Sequence, residues 1–200
     1  MNVKIGIFRI NVICPFLAAA FLLMNFSVYT LLIALCVLCH EIGHIVMIRR
    51  AGQTVQRIDI LPFGADIITE GRLLSYADDL KIALAGSVFN LAAAALCFLV
   101  LAAAGYNEHM IFYIAVNLAY AAINLFPVRN LDGGRAAEII LRCHLPPERV
   151  FVLCGVISAA ALALLTACAF FVLFATGYNF SLVLICAYLF FVIHFKPRVE

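Results

Sequence analysis

The sequence predicts an all-α polytopic membrane protein with six transmembrane helices and a small membrane-surface β-hairpin after the second helix. Three observations predict it. Hydrophobic residues make up 66% and charged residues 12% of the 200 positions, whereas a soluble domain has about 45–50% apolar and about 25% charged. Six apolar runs follow one another: Ile10–Phe26, Val28–Met47, Ile82–Ala104, Met110–Phe126, Val150–Ala175 and Phe180–Ile193. A helix needs about 20 residues to cross the bilayer core, so the first and last runs are short. The third observation is the placement of charge. With six crossings, all 13 Lys and Arg residues fall on alternate connections or at the two termini. The positive-inside rule makes that side the cytoplasm, with both termini inside. One span more or fewer would destroy the pattern.

Lys4 and Arg9 precede the first run, as in a secretory signal, but Asn25-Phe26-Ser27 has no small-residue cleavage pair. An uncleaved first span is therefore expected. The connections near Asn25–Ser27, Gly105–His109 and Thr176–Asn179 hold no basic residue and read as short outside turns. Seven of the eight cysteines (Cys14, Cys36, Cys39, Cys97, Cys154, Cys168 and Cys186) fall within spans, and Cys143 lies in an inside loop. They read as small apolar packers in a reducing setting. Between the second and third spans, Val55-Gln56-Arg57-Ile58-Asp59-Ile60-Leu61 partly alternates as a strand does. Pro62-Phe63-Gly64 breaks the alternation, and Ala65–Gly71 reads as a returning strand. A connecting amphipathic loop is the alternative. After the fourth span, Pro127 removes a backbone donor, and Gly133-Gly134 opens conformations closed to other residues. The helix should unwind near Pro127, and irregular backbone at membrane depth must pack in protein or line a wet cavity. A short helix is expected over Ala136–Cys143.

The chemistry lies in the second span, which carries His40-Glu41-Ile42-Gly43-His44. Histidines four apart project from one helix face and can share a Zn²⁺, with the adjacent glutamate as general base on a metal-activated water. Ionisable groups inside a span are functional by default. A catalytic zinc needs three protein ligands. Asp132 is the best third candidate, because His44 and Asp132 lie near the inside ends of the second and fourth spans. Asp66 and Glu70 sit in a surface segment, His109 is on the opposite side, and His144 and His194 are far from any second polar feature. The bland readings are a helix-packing histidine and, for Asp132, a turn or N-cap residue. Cys36-Val37-Leu38-Cys39-His40 also matches a haem-attachment pattern. It is buried in a span and shares His40 with the zinc motif, so the two readings compete.

These residues resemble the site-2 proteases, zinc metalloproteases that cut substrates within the membrane. The resemblance rests on His40–His44, on Asn124-Leu125-Phe126-Pro127 and on Leu131-Asp132-Gly133-Gly134. It implies one Zn²⁺ per chain on His40, His44 and Asp132, with Glu41 activating the water. It also assigns Asn124 and Asn90 to substrate or oxyanion binding. Gly86-Ser87-Val88-Phe89-Asn90 carries the Asn90 match, with Ser87 where relatives commonly have proline. The compact layout and Leu61-Pro62-Phe63-Gly64 look like the branch typified by stage IV sporulation protein FB. That branch implies a pro-sigma factor cut during sporulation by regulated intramembrane proteolysis. It further implies an inhibitory membrane protein and the membrane surrounding the forespore.

The expectation is one integral metalloprotease domain over residues 1–200, without a CBS or PDZ domain. Its partners would be a membrane-associated protein substrate and the lipid bilayer. The cut would fall near the cytoplasmic face. The basic residues set topology and are not clustered, so no nucleic-acid partner is expected. A metal-ion transporter and an inactive homologue acting as a binding module are the rival classes. Transporters spread ligands along a pathway, however, and every predicted ligand and the base are present here.

Overall fold

The computed structural model describes residues 2–5, 8–11, 27–61, 64–71, 73–178 and 180–195. It falls into two compact units, Met1–Ile123 and Asn124–Glu200.

The first unit opens with strands β1 (Asn2–Ile5) and β2 (Phe8–Asn11). Helix α1 spans Val28–Arg50. Ser27 caps it, its hydroxyl accepting from the Thr30 amide at 3.3 Å, and Arg49 and Arg50 face the negative end of the helix dipole. Gly52 turns the chain with φ 77°, a conformation that disfavours a Cβ. Strands β3 (Thr54–Leu61) and β4 (Gly64–Glu70) follow. They are antiparallel, with Ile58 opposite Ile67 and an irregularity between Val55 and Arg57. The expected hairpin is thus present. β1 and β2 extend it to a four-stranded sheet in the order β1-β2-β3-β4, with β2 parallel to β3. The fold is therefore helical with a small sheet rather than all-α.

Ile10, expected to open the first span, instead lies in β2 opposite Ile60. Ladder pairing satisfies backbone groups there without a helix. Positions 12–26 of that span lie outside the described residues.

Helix α2 (Tyr76–Ala104) starts at Ser75, whose hydroxyl accepts from the Asp78 amide at 3.1 Å. Asp78 and Asp79 complement the positive helix end. Helix α3 (Glu108–Asn124) begins where the Asn107 side chain accepts from the amides of His109 and Met110. The sheet packs on the C-terminal end of α1 and the N-terminal end of α2. Val55 and Ile67 pack on a buried cluster of Ile48, Ala51 and Ile82.

The second unit begins at Asn124. Helix α3 stops there, and residues 125–131 are irregular, as Pro127 requires. Helix α4 covers Asp132–Arg142, four residues earlier than the expected start at Ala136. Asp132 in its first turn suits the helix dipole. Gly133 and Gly134 belong to the helix because the preceding loop packs directly on them. A Cβ would lie 2.0 Å from the Leu125 carbonyl oxygen at Gly133, and 2.1 Å from that of Val128 at Gly134. Helix α5 (Pro147–Thr176) starts on proline, whose missing N–H costs nothing at a first helical position. Helix α6 spans Ser181–Phe195. The core of this unit joins Val128 of the loop to Ala161, Leu162, Leu165 and Ala169 of α5 and to Cys186 and Leu189 of α6.

Among the described residues, α1, α2 and α5 are long and apolar enough to cross a membrane. Helices α3 and α6, with 17 and 15 residues, are shorter than the other three.

Candidate metal centre

Helix α1 buries one stripe against α2, comprising Cys36, His40 and Gly43. Helix α2 answers with Ile82, Gly86, Asn90 and Ala94, spaced four apart. The two helices approach closely because small residues face each other. A Cβ on Gly43 would sit 2.7 Å from the Ala85 carbonyl oxygen. Close backbone approach through small residues is a common way to pack helices in a bilayer.

This approach fixes both imidazoles. His40 is buried at 3% exposure, and its Nδ1 lies 2.8 Å from Asn90 Oδ1. His44 places Nδ1 2.8 Å from the carbonyl oxygen of Ile82. A carbonyl oxygen only accepts, so His44 Nδ1 carries the proton and its Nε2 presents a lone pair. The Asn90 nitrogen faces other acceptors, which leaves its oxygen for His40; there too the proton sits on Nδ1. The two Nε2 atoms converge to 3.2 Å. Two lone pairs at that distance repel unless a cation lies between them.

The spacing suits zinc. Two zinc–nitrogen bonds of about 2.0–2.1 Å at a tetrahedral angle place their nitrogens about 3.3 Å apart. Gly86 completes the cradle. A Cβ there would come within 2.5 Å of both Nε2 atoms and fill the space that an ion would share. Tyr120 of α3 packs edge-on to His40 with ring centroids 5.0 Å apart, which closes that side with an aromatic edge.

Glu41 is half-buried on α1, one residue from His40. Asn90, on α2, lies between His40 of α1 and Asn117 of α3. It is 0% exposed, its oxygen is on His40, and its nitrogen donates to Asn117 Oδ1 at 2.8 Å and to the Cys36 carbonyl at 3.1 Å. Both ends of the amide are hydrogen-bonded inside the protein. In the second unit, Asn124 is the last residue of α3, and Asp132 is in the first turn of α4. Both are half-buried. The haem-type pair takes no such form. Cys36 lies at the Asn90 nitrogen and Cys39 Sγ lies 3.8 Å from the Phe89 carbonyl, so both thiols are packed between helices.

Gly86, the Ile82 carbonyl and Asn117 take part in this geometry, a place that sequence reasoning does not assign to them. Asn117 gives a visible signal as one of two amides, with Asn124, in the apolar run Met110–Phe126. The other two act through backbone or through a missing side chain, and neither has a composition signature.

Residues 28–107 match peptidase family M50. Over 111 residues, 52% of the chain, it is 32% identical to a protein of Mycobacterium tuberculosis named "Putative zinc metalloprotease Rip3". The same protein matches equally in a second strain. The chain spans 28% of the length of these relatives. The solved structure of the site-2 protease from Methanocaldococcus jannaschii matches with a TM-score of 0.68 and 21% identity, covering 100% of this chain and 96% of that one. The chain has the site-2 protease fold. It is a membrane protein, as its apolar helices require. The M50 match contains the histidine pair, Glu41, Gly86 and Asn90, and ends before Asn117, Asn124 and Asp132.

Proposed function

We propose that the protein is a zinc endopeptidase of the site-2 protease type that cuts a membrane-associated protein near the cytoplasmic face. The observation that carries this reading is the convergence of His40 and His44 Nε2 at 3.2 Å, with both Nδ1 atoms held by oxygen acceptors. Asp132 is the third ligand in this reading, as the match of Leu131-Asp132-Gly133-Gly134 to the family pattern supports. The fold and the M50 match support the class.

Zinc, when bound, polarises a carbonyl and makes a water acidic enough to attack near neutral pH. Glu41 takes the proton of the attacking water and passes it to the leaving amine. Asn124 orients the scissile peptide or its developing oxyanion. A helix hides its own carbonyls, so the substrate must unwind before it is cut. The β3–β4 hairpin offers an unwound segment an edge to pair with, which would satisfy its backbone groups. A pro-sigma factor, suggested by the resemblance to the sporulation branch, is the substrate to test first.

The test compares wild type with Glu41→Gln for cleavage of a co-expressed candidate substrate, with zinc measured on both purified proteins. The reading expects about one zinc per chain in both and cleavage only by wild type. Removing one group of a catalytic unit costs several orders of magnitude in rate, so the contrast is large. Equal cleavage by both proteins would remove Glu41 as the base. Zinc flux in proteoliposomes without cleavage would favour a transporter.

A further inference from the structure

We propose that Asn90 and Asn117 form an amide relay that fixes the tautomer of His40, and so decides which imidazole nitrogen is offered to the metal. This inference rests on the zinc reading above. The chain of donors and acceptors runs in one direction. Asn117 donates from its amide nitrogen to the Tyr113 carbonyl at 2.8 Å, a group that can only accept. That leaves Asn117 Oδ1 to accept from the Asn90 nitrogen at 2.8 Å. The same Asn90 nitrogen also faces the Cys36 carbonyl oxygen and Cys36 Sγ, each at 3.1 Å. Asn90 Oδ1 is thereby turned to His40 Nδ1 at 2.8 Å, which must donate. His40 Nε2 then carries no proton.

Reversing any link spoils the site. If the Asn90 amide flipped, its oxygen would face two acceptors, and its nitrogen would demand a lone pair on His40 Nδ1. The proton would move to Nε2, the atom that points at His44. Both amides are 0% exposed, so water cannot replace a lost partner. Packing alone would not require this order. A buried polar pair that merely joined α2 to α3 could end anywhere, whereas this one ends on backbone carbonyls at one side and a metal-facing imidazole at the other. His44 needs no relay, because a backbone carbonyl holds its Nδ1 directly. The arrangement makes Asn90 and Asn117 positioning residues, with no contact to substrate.

The test uses the full-length chain in detergent as wild type, Asn90→Asp, Asn90→Leu and Asn117→Leu. Zinc affinity is read by chelator competition, and the histidine tautomers of the metal-free protein by nitrogen-15 NMR. Loss of an outer partner of a metal-bound histidine typically costs about 10- to 100-fold in affinity. Asn90→Leu should show that loss. Asn90→Asp keeps an acceptor on His40 and should bind more tightly than Asn90→Leu. A packing role predicts the opposite order, since a buried carboxylate costs more than an apolar isostere. Asn117→Leu should weaken zinc binding and leave His40 as a mixture of its two neutral tautomers; it decides the matter if Asn90→Leu fails to fold. Wild-type affinity and a single tautomer in Asn117→Leu would overturn the relay while leaving the zinc reading intact. A wild type that binds no zinc overturns both.

Discussion

At the scale of single residues, Gly86 makes the sharpest demand. Its missing side chain is what lets two imidazole nitrogens meet, since a Cβ would stand 2.5 Å from each. Alanine favours a helix by about 1 kcal/mol over glycine, so Gly86→Ala would be expected to help α2 by itself. The site should suffer regardless. We expect Gly86→Ala to insert normally and to lose zinc, measured as metal per chain on the purified protein, with cleavage lost as a consequence. Zinc retained at wild-type stoichiometry would mean that the ion does not sit between the two Nε2 atoms. The histidine spacing itself was legible in the sequence, because a four-residue repeat places both rings on one face. Their partners were not. Ile82 and Asn90 lie 38 and 50 positions from the histidines they orient, and only helix packing brings them there.

Elements tell the same story with different physics. The hairpin was legible from alternation and from Pro62, while the start of α4 was not. The sequence reading gives Gly133-Gly134 backbone freedom and starts the helix at Ala136, yet both glycines are helical, and the loop carbonyls of Leu125 and Val128 leave no room there for anything larger. Glycine is selected there by contact rather than by backbone angle. A pair of substitutions separates the two reasons. Gly134→Ala would force a methyl to within 2.1 Å of the Val128 carbonyl oxygen, and backbone cannot yield cheaply. We expect a loss at or above about 3 kcal/mol, the upper end for overpacking, seen as a large fall in the thermal unfolding midpoint. Gly155→Ala, in α5, would meet no atom closer than the Arg129 guanidinium at 3.9 Å. There the ordinary helix preference should hold, and the midpoint should stay level or rise by the equivalent of about 0.5–1 kcal/mol. Equal falls in both variants would mean that the contact over Gly134 does not set the start of α4.

For the whole chain, helix length and charge placement together set how many times it crosses the bilayer. Charge and length give different strengths of argument. Helices α1, α2 and α5 have 23, 29 and 30 residues and span comfortably. Helix α3, with 17 residues, rises about 26 Å against a core of about 30 Å. Helix α6, with 15, rises about 22 Å. Length alone would let either stop short. Charge weighs the other way: no Lys or Arg lies in the connections around Tyr106 and Tyr178, whereas Arg129, Arg135, Arg142 and Arg149 crowd the stretch around Cys143. A short span can be accommodated by local thinning for a fraction of a kcal/mol per ångström. Placing four arginines on the wrong side would cost more. We therefore expect α3 and α6 to cross. Tyr106 and Tyr178 are 85% and 79% exposed, so cysteine at either position is open to reagent. In a chain otherwise free of cysteine, Tyr106→Cys and Tyr178→Cys should react with a membrane-impermeant maleimide on intact cells. A chain retaining Cys143 alone should react only after the cells are opened. Labelling of Tyr106→Cys and Cys143 from the same side would mean that α3 turns back within the membrane, and the depth assigned to Asp132 from the fourth span would fall with it.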